Sequence, residues 1–294
     1  MTGPTAVITL VHGRHGHLRR QHEALARGTL RPEPYVVVTM NDPTATAGLR
    51  EPTPAPHAVE LRAGPKGLPL AEARNRGARH ALLAGADTLV FLDVDCIPGP
   101  ALVHRYTRSL ARTGHEGVHC GPVAYLPPPP AGGYPRTGLD ALAAPHTARP
   151  NPPPGQLVRA PDQDYRLFWS LSFALAARTW QQVGGFCEDY TGYGGEDTDF
   201  GQLLRANRVP LYWTGGATAF HQYHPVQDPP VQHLDDILRN ARVFRRRWGW
   251  WPMEGWLHAF ERLGLAHLDV RTGDWARSDR PGTGPAVIPP GGSG

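Results

Sequence analysis

Lysine is nearly absent from this chain. Lys66 stands alone among 30 lysines and arginines in 294 residues, so almost all of the positive charge is arginine. With 34 glycines and 32 prolines, that usage reads as the drift of a GC-rich, bacterial genome. A formal net charge of +4 is small, and the basic residues are scattered apart from Arg245, Arg246 and Arg247. A nucleic-acid binder clusters them, so no nucleic-acid partner is expected. Cysteine is scarce as well. Cys96, Cys120 and Cys187 are odd in number and lack metal-type spacing, which argues against a disulfide framework and suits a reducing compartment. No apolar run approaches the roughly 20 residues that a membrane span requires. No signal-peptide pattern opens the chain, and "AVITLV" (6–11) already reads as a core strand. These absences point to a soluble, cytoplasmic protein. What is present is a 40% hydrophobic fraction, enough for a substantial core in one large domain or two modest ones.

The first half alternates two periodicities. "AVITLV", "YVVVTM" (35–40), "HAVELRA" (57–63) and "TLVFLDVD" (88–95) read as strands, while 17–28 and 68–86 carry apolar residues at helical intervals. Strand–helix alternation predicts an α/β fold with a mainly parallel central sheet flanked by helices. Ligands of such sheets sit beyond the carboxyl ends of the strands. Asn41, Asp42, Asp93 and Asp95 lie at such ends. In the second half, 126–163 is rich in Pro and Gly and reads as a long, mobile loop or insertion. "LFWSLSFAL" (167–175) reads as a strand, 177–183 and 197–207 as helices, and "PLYWT" and "TAFHQYH" as strand and strand end. Residues 231–265 read as two helices, and the tail from Gly273 as disordered.

Two chemical groupings stand out. Asp93 and Asp95 close an apolar strand two residues apart, a spacing that on extended chain points both carboxylates to one face. Such a pair calls for a cation, and a hard divalent metal, Mg²⁺ or Mn²⁺, fits oxygen ligands shared with phosphates. On spacing alone, an Asp-rich turn closing a strand reads equally well. The second grouping is "YTGYGGEDTDF" (190–200), with three acids, three glycines and no Lys or Arg to neutralise them. Its glycines permit positive φ and close backbone approach. Glu196 and Asp197 fall at a helix start, where the macrodipole favours carboxylates. Asp199 reads as a first-turn helix acid.

The strand-end acidic pair, preceded by the helix carrying "ARNRG" (73–77), resembles the GT-A fold glycosyltransferases of the family 2 type. "GGFCEDYTGYGGEDTDF" (184–200) is similar to the acceptor-side motif of the β-1,4-galactosyltransferase type. The resemblance covers about 5–265. It implies a single GT-A (nucleotide-diphospho-sugar transferase) domain over 1–272, with a nucleotide-sugar-binding half (5–125), an acceptor and catalytic half (126–228), C-terminal helices (229–272) and a disordered tail (273–294). It further implies a metal-dependent, inverting transfer of a hexose or N-acetylhexosamine from a UDP-sugar to a hydroxyl of a glycan or small-molecule acceptor.

Carried over residue by residue, Asp93 faces the nucleotide, Asp95 ligates the metal, and Asp197 is the general base with Glu196 beside it. His221, ahead of His224, completes the metal site. Arg14 and His12 in the first loop, Asp42, Arg74 and Asn75 are donor contacts; His12 stands where the family often has a second Arg. Tyr190, Tyr193, Gly194 and Gly195 bind the acceptor, and Trp169 lines that site or, by the preferred reading, packs in the core. "FRRRWGWWPMEGWLHAF" (244–260) reads as helices packing on the domain, with contact to an anionic inner membrane face as the other reading. Two competing functions use the same residues: a glycoside hydrolase, which needs two acids but no metal–diphosphate site, and a non-catalytic nucleotide- or glycan-binding protein.

Overall fold

A computed structural model describes residues 3–49 and 55–278 of the chain. The β-branched run Thr5–Val11 forms strand β1, followed by helix α1 (His15–Ala26), β2 (Tyr35–Met40), β3 (Pro56–Leu61), α2 (Leu70–Leu83) and β4 (Thr88–Leu92). After it come β5 (Cys96–Pro98), α3 (Leu102–Arg112), β6 (Val118–Cys120), β7 (Val123–Tyr125), β8 (Ala144–Pro145) and β9 (Leu157–Arg159). Next are β10 (Ser172–Ala176), α4 (Ala177–Val183), α5 (Glu196–Ala206), β11 (Leu211–Thr214) and β12 (Ala219–His221). The last elements are α6 (Leu234–Trp248), α7 (Glu254–Arg262), β13 (Ala266–Asp269) and β14 (Asp274–Arg277).

The chain divides into two compact units, residues 1–191 with 196–225, and residues 192–195 with 226–294. The first unit is built on an 8-stranded sheet in the order β3-β2-β1-β4-β10-β6-β11-β9. Strands β10 and β9 run against the others, so the sheet is mixed. Period-2 alternation splits β1 between two cores: Ala6, Ile8 and Leu10 face a cluster with α2 and α5, while Val7 and Val11 face one with α1 and α3. Helix α2 lies close on β1 because position 77 is glycine; a Cβ there would come within 2.5 Å of the Ile8 side chain. The strand order reverses between β1 and β4, the crevice where open α/β sheets bind ligands.

Several boundaries differ from the sequence reading. Segment 126–163 is tied down, with β8 paired to β7 and β9 added to the edge of the large sheet against β11. The strand expected at 167–175 is confined to Ser172–Ala176 and preceded by a 3₁₀ turn at Asp162–Leu167. A 4-stranded sheet, β5-β12-β7-β8, stands beside the large one.

The second unit has its own core of Ile237, Leu238, Leu257, Phe260 and Trp275. Residues 274–277, expected to begin the disordered tail, pair instead with β13 and bury Trp275. The rest of that tail, 279–294, lies outside the described residues. Among the described residues, no helix is long and apolar enough to cross a membrane. The Trp-rich stretch packs within its unit: Arg245 lies 4.8 Å over the Trp251 ring, Arg247 5.8 Å over Trp248, and Trp256 donates to Asp228 at 3.2 Å.

Candidate active site

Strand β4 stops at Leu92, and Asp93–Asp95 forms a tight turn into β5, closed by the Cys96 amide donating to the Asp93 carbonyl at 2.9 Å. The extended geometry expected from the sequence is therefore absent, and the two carboxylates meet different partners. The turn is fastened by Gln21, a fully buried residue of α1. Its amide donates to the Asp93 and Cys96 carbonyls at 2.7 and 3.0 Å and accepts from Thr9 and Tyr35 at 2.8 and 3.0 Å. Sequence reasoning missed Gln21, yet the signal was there. It shares the apolar stripe of α1 with Leu18 and Leu25, where a polar residue must find internal partners.

Asp95 faces a cluster of nitrogen donors. His221 Nε2 and His224 Nε2 each lie 3.6 Å from its Oδ2, and Arg14 pairs with the same oxygen. Pairing between β12 and β5 sets His221 opposite Cys96, and the Gln222 amide donates to the Asp95 carbonyl at 2.7 Å. That register brings His221 to Asp95, and His224, three residues on, reaches the same oxygen. One ligand atom from each of Asp95, His221 and His224 fits within 4.8 Å of the others, a donor set suited to a divalent metal. Burial would raise the Asp95 carboxyl, but the hydrogen bond from His224 and the charges of His221 and Arg14 bring it down to about 2. Burial lowers the His221 imidazole against the pull of Asp95, favouring the neutral form that ligates metals.

Asp93 belongs to a second cluster around Arg74. The Arg74 guanidinium is 5% exposed and lies 3.3 Å from Glu196, 3.5 Å from Asp93 and 3.9 Å from Asp197. It was expected to touch the donor; its guanidinium lies among these three carboxylates. Burial pushes Asp93 up to about 7, with Arg74 opposing and Asp95 and Asp197 adding to the rise. Glu196 is likewise pushed up to about 7 by burial and by Asp197, against the pull of Arg74. Asn75, also expected at the donor, is engaged elsewhere. Its side chain donates to the Phe186 carbonyl and to Glu188 at 2.9 and 2.8 Å and accepts from the Phe186 amide at 2.8 Å, tying the Gly-Gly-Phe segment to α2.

Asp197 keeps a partly open carboxylate, 28% exposed. Ser170 holds it twice, through its hydroxyl at 2.7 Å and its amide at 3.2 Å. Nothing local in "FWSLSFAL" marks Ser170, whose partner is 27 residues away. In the first loop, Arg14 sits at φ 52° ahead of α1. Asp42 accepts from the Gly13 amide and from His15, both at 2.8 Å, and the His12 ring meets the Met40 carbonyl at 2.7 Å. Burial would raise the Asp42 carboxyl, but these hydrogen bonds from His15 and Gly13 pull it below its usual range.

The proposed acceptor residues divide. Tyr190 is 2% exposed, with its hydroxyl donating to Asp199 at 3.1 Å, so its ring offers no open face. Asp199 is itself fully buried in the first turn of α5. Tyr193, in the second unit, is exposed and stacks on His233 with centroids 4.5 Å apart. Gly194 and Gly195 both take positive φ, 90° and 94°, and Asn240 donates to the Gly194 carbonyl at 2.8 Å. Trp169 is half-buried, with the His146 ring edge-on at 4.8 Å and the Arg149 guanidinium 5.3 Å over its face.

Comparison with known proteins shows what the chain resembles. The family described as the N-terminal domain of galactosyltransferase matches residues 159–225, which contain Ser170, Glu196, Asp197, His221 and His224. A validoxylamine A glucosyltransferase of Streptomyces hygroscopicus subsp. limoneus is 33% identical over 239 residues, covering 70% of this chain and 49% of that protein. One from S. hygroscopicus subsp. jinggangensis (strain 5008) is 35% identical over 171 residues, covering 49% of this chain and 37% of that protein. The chain thus spans about half the length, or less, of these curated relatives. The crystal structure of GalNAc-T7 with UDP, GalNAc and Mn²⁺ superposes with a TM-score of 0.51 at 15% identity, covering 75% of this chain and 44% of that one, a likeness of fold. The chain has a GT-A-like fold, is similar to curated glucosyltransferases over part of their length, and carries a galactosyltransferase-like segment at 159–225.

Proposed function

We propose that this chain transfers a hexose or N-acetylhexosamine from a UDP-sugar to an acceptor hydroxyl, with inversion, using a divalent metal and Asp197 as general base. One observation carries the reading: two chemically distinct groups lie next to each other at the strand ends. Asp95, His221 and His224 converge as a metal-type donor set, and Asp197 lies beyond Asp93 and Arg74, held by Ser170. Those three residues would hold the metal, and two imidazoles favour Mn²⁺ over Mg²⁺. When bound, the metal supplies positive charge that stabilises the departing nucleoside diphosphate.

The chain's own residues do the rest. Asp197 takes the proton from the acceptor hydroxyl as that oxygen attacks the anomeric carbon. The two hydrogen bonds from Ser170 fix its direction. Arg74 and Glu196 anchor the first turn of α5 from behind. Arg14 and Asp93 are assigned to the donor, with Asp42 and His12 shaping the loop that presents Arg14. Tyr193, Gly194 and Gly195 are assigned to the acceptor. A bacterial, cytoplasmic setting and the family 2 type belong to the same proposal.

The test is thermal denaturation with UDP and a panel of UDP-sugars, each with Mn²⁺ and with EDTA. Ligand at a hundred times its Kd stabilises the folded state by about 2.7 kcal/mol. A Mn²⁺-dependent rise with UDP supports the reading. No rise with any nucleotide, with or without metal, contradicts it and favours a hydrolase or glycan-binding protein.

A further inference from the structure

Arg149 is a buried cation that the proposed chemistry leaves unused. It is 7% exposed, and among the described residues neither Nη1 nor Nη2 finds an oxygen or nitrogen acceptor. Burying a guanidinium without a carboxylate is costly, so the surroundings must supply another reason for it. They supply two indole faces: its Cζ lies 5.3 Å from the Trp169 ring centre and 5.0 Å from that of Trp213. An arginine so placed is attracted by both ring quadrupoles. The turn that carries it is well anchored. Strand β8 pairs with β7, His146 donates its amide to the Val123 carbonyl at 3.2 Å, and the Arg149 amide donates to the His146 carbonyl at 3.2 Å. His146 then meets Trp169 edge-on at 4.8 Å.

Trp169 therefore has the Arg149 guanidinium over its face and the His146 ring packed against it at a near-right angle. The next residue along the chain is Ser170, 1% exposed, whose amide and hydroxyl both hold Asp197. The packing continues in the other direction. Tyr125 lies 5.6 Å from His146 and stacks at 4.8 Å on His221, a residue of the metal-type cluster. One short turn of the Pro-rich segment thus braces both halves of the site.

We propose that Arg149 is a positioning residue: by packing on Trp169 together with His146, it fixes Ser170 and, through Ser170, the direction of the Asp197 carboxylate. This rests on Asp197 being the base. The experiment compares Arg149→Met, Ser170→Ala and the double variant in sugar transfer, alongside amide hydrogen exchange at Ser170. Misplacing a catalytic group by about 1 Å costs on the order of a hundredfold in rate. Arg149→Met should therefore lower kcat roughly ten- to a hundredfold. Donor KM and the Mn²⁺-dependent stabilisation by UDP should stay within about twofold of wild type. Exchange at Ser170 should quicken, and the double variant should be no slower than Ser170→Ala alone.

Unchanged exchange, equal losses in kcat and donor binding, or additive losses in the double variant would overturn the proposal. Should Arg149→Met not fold, Trp169→Phe takes its place with the same expected pattern, and wild-type kcat and exchange in that variant would equally overturn it. Absence of any sugar transfer by the wild-type chain would sink the functional reading instead, and the exchange measurement would still decide the role of Arg149.

Discussion

Arg74→Met is the perturbation that bears hardest on the site. The guanidinium is 5% exposed and holds Glu196, Asp93 and Asp197 at 3.3, 3.5 and 3.9 Å. Glu196 is itself only 8% exposed, so it cannot turn to water when the cation is lost. Removing one partner of a buried ion pair costs roughly 3–5 kcal/mol. At roughly 2–4 °C per kcal/mol for a unit of this size, melting should fall by roughly 6–20 °C. The deficit also has a definite pH dependence. A carboxyl whose folded pKa exceeds its unfolded one binds more protons when folded, so stability falls as pH rises between the two values. For Glu196 that window runs from the ordinary carboxylate range to about 7. Without Arg74, which holds it down, the window extends higher. The Arg74→Met deficit should therefore be larger near pH 8 than near pH 5.5, as measured by calorimetric or circular-dichroism melts at both. Melting within a degree or so of wild type at both pH values, or a deficit larger at the acid end, would refute the reasoning.

His221→Ala and His224→Ala should each raise the Mn²⁺ concentration needed for stabilisation by UDP at least tenfold, as read from melts across a Mn²⁺ titration; unchanged titrations in both variants would remove the metal assignment. Gln21→Leu removes the hydrogen-bond partner of the Tyr35 hydroxyl and of the Cys96 carbonyl, at about 1–3 kcal/mol each, so it should lower unfolding stability by roughly 2–6 kcal/mol and weaken Mn²⁺ binding, both measurable on one preparation. Asp95, whose folded carboxyl is brought down to about 2, contributes stability that is present above the ordinary carboxylate range and lost as pH falls towards about 2. In EDTA, Asp95→Asn should therefore flatten the acid limb of the melting curve, and an unchanged limb would contradict the burial-and-partner account.

How much of this was legible in the sequence depended on how local each signal was. The strands β1, β2 and β4 and helices α1 and α2 announced themselves through apolar periodicity, because each packs against the sheet by its own face. Asp95 and Asp197 were legible because a carboxylate at a strand end or in a Gly-flanked run has few bland explanations. The geometry of 93–95 was not, since the chain leaves the strand at Leu92 and a turn and an extended pair look alike in sequence. Arg74 and Asn75 were located in the correct helix, but their protein partners were not foreseen. Their contacts, Glu196 and Phe186, lie 122 and 111 residues away. Ser170 and Arg149 were invisible for the same reason, since only the fold brings one to Asp197 and the other between two tryptophans. The 231–265 segment was read as helices because α6 and α7 are strongly periodic, while the second strand of the hairpin, Asp274–Arg277, falls where the Gly- and Pro-rich tail was expected to begin.

The central claim is that Asp197 is the base of a sugar transfer. Its most direct test is to follow product formation from UDP-sugars by wild type and Asp197→Asn, with Mn²⁺-dependent stabilisation by UDP measured in parallel. Loss of a general base costs on the order of 10²–10⁴-fold in rate. The account predicts a loss of that order in transfer with the UDP response nearly intact. An Asp197→Asn variant that transfers sugar at the wild-type rate would contradict it.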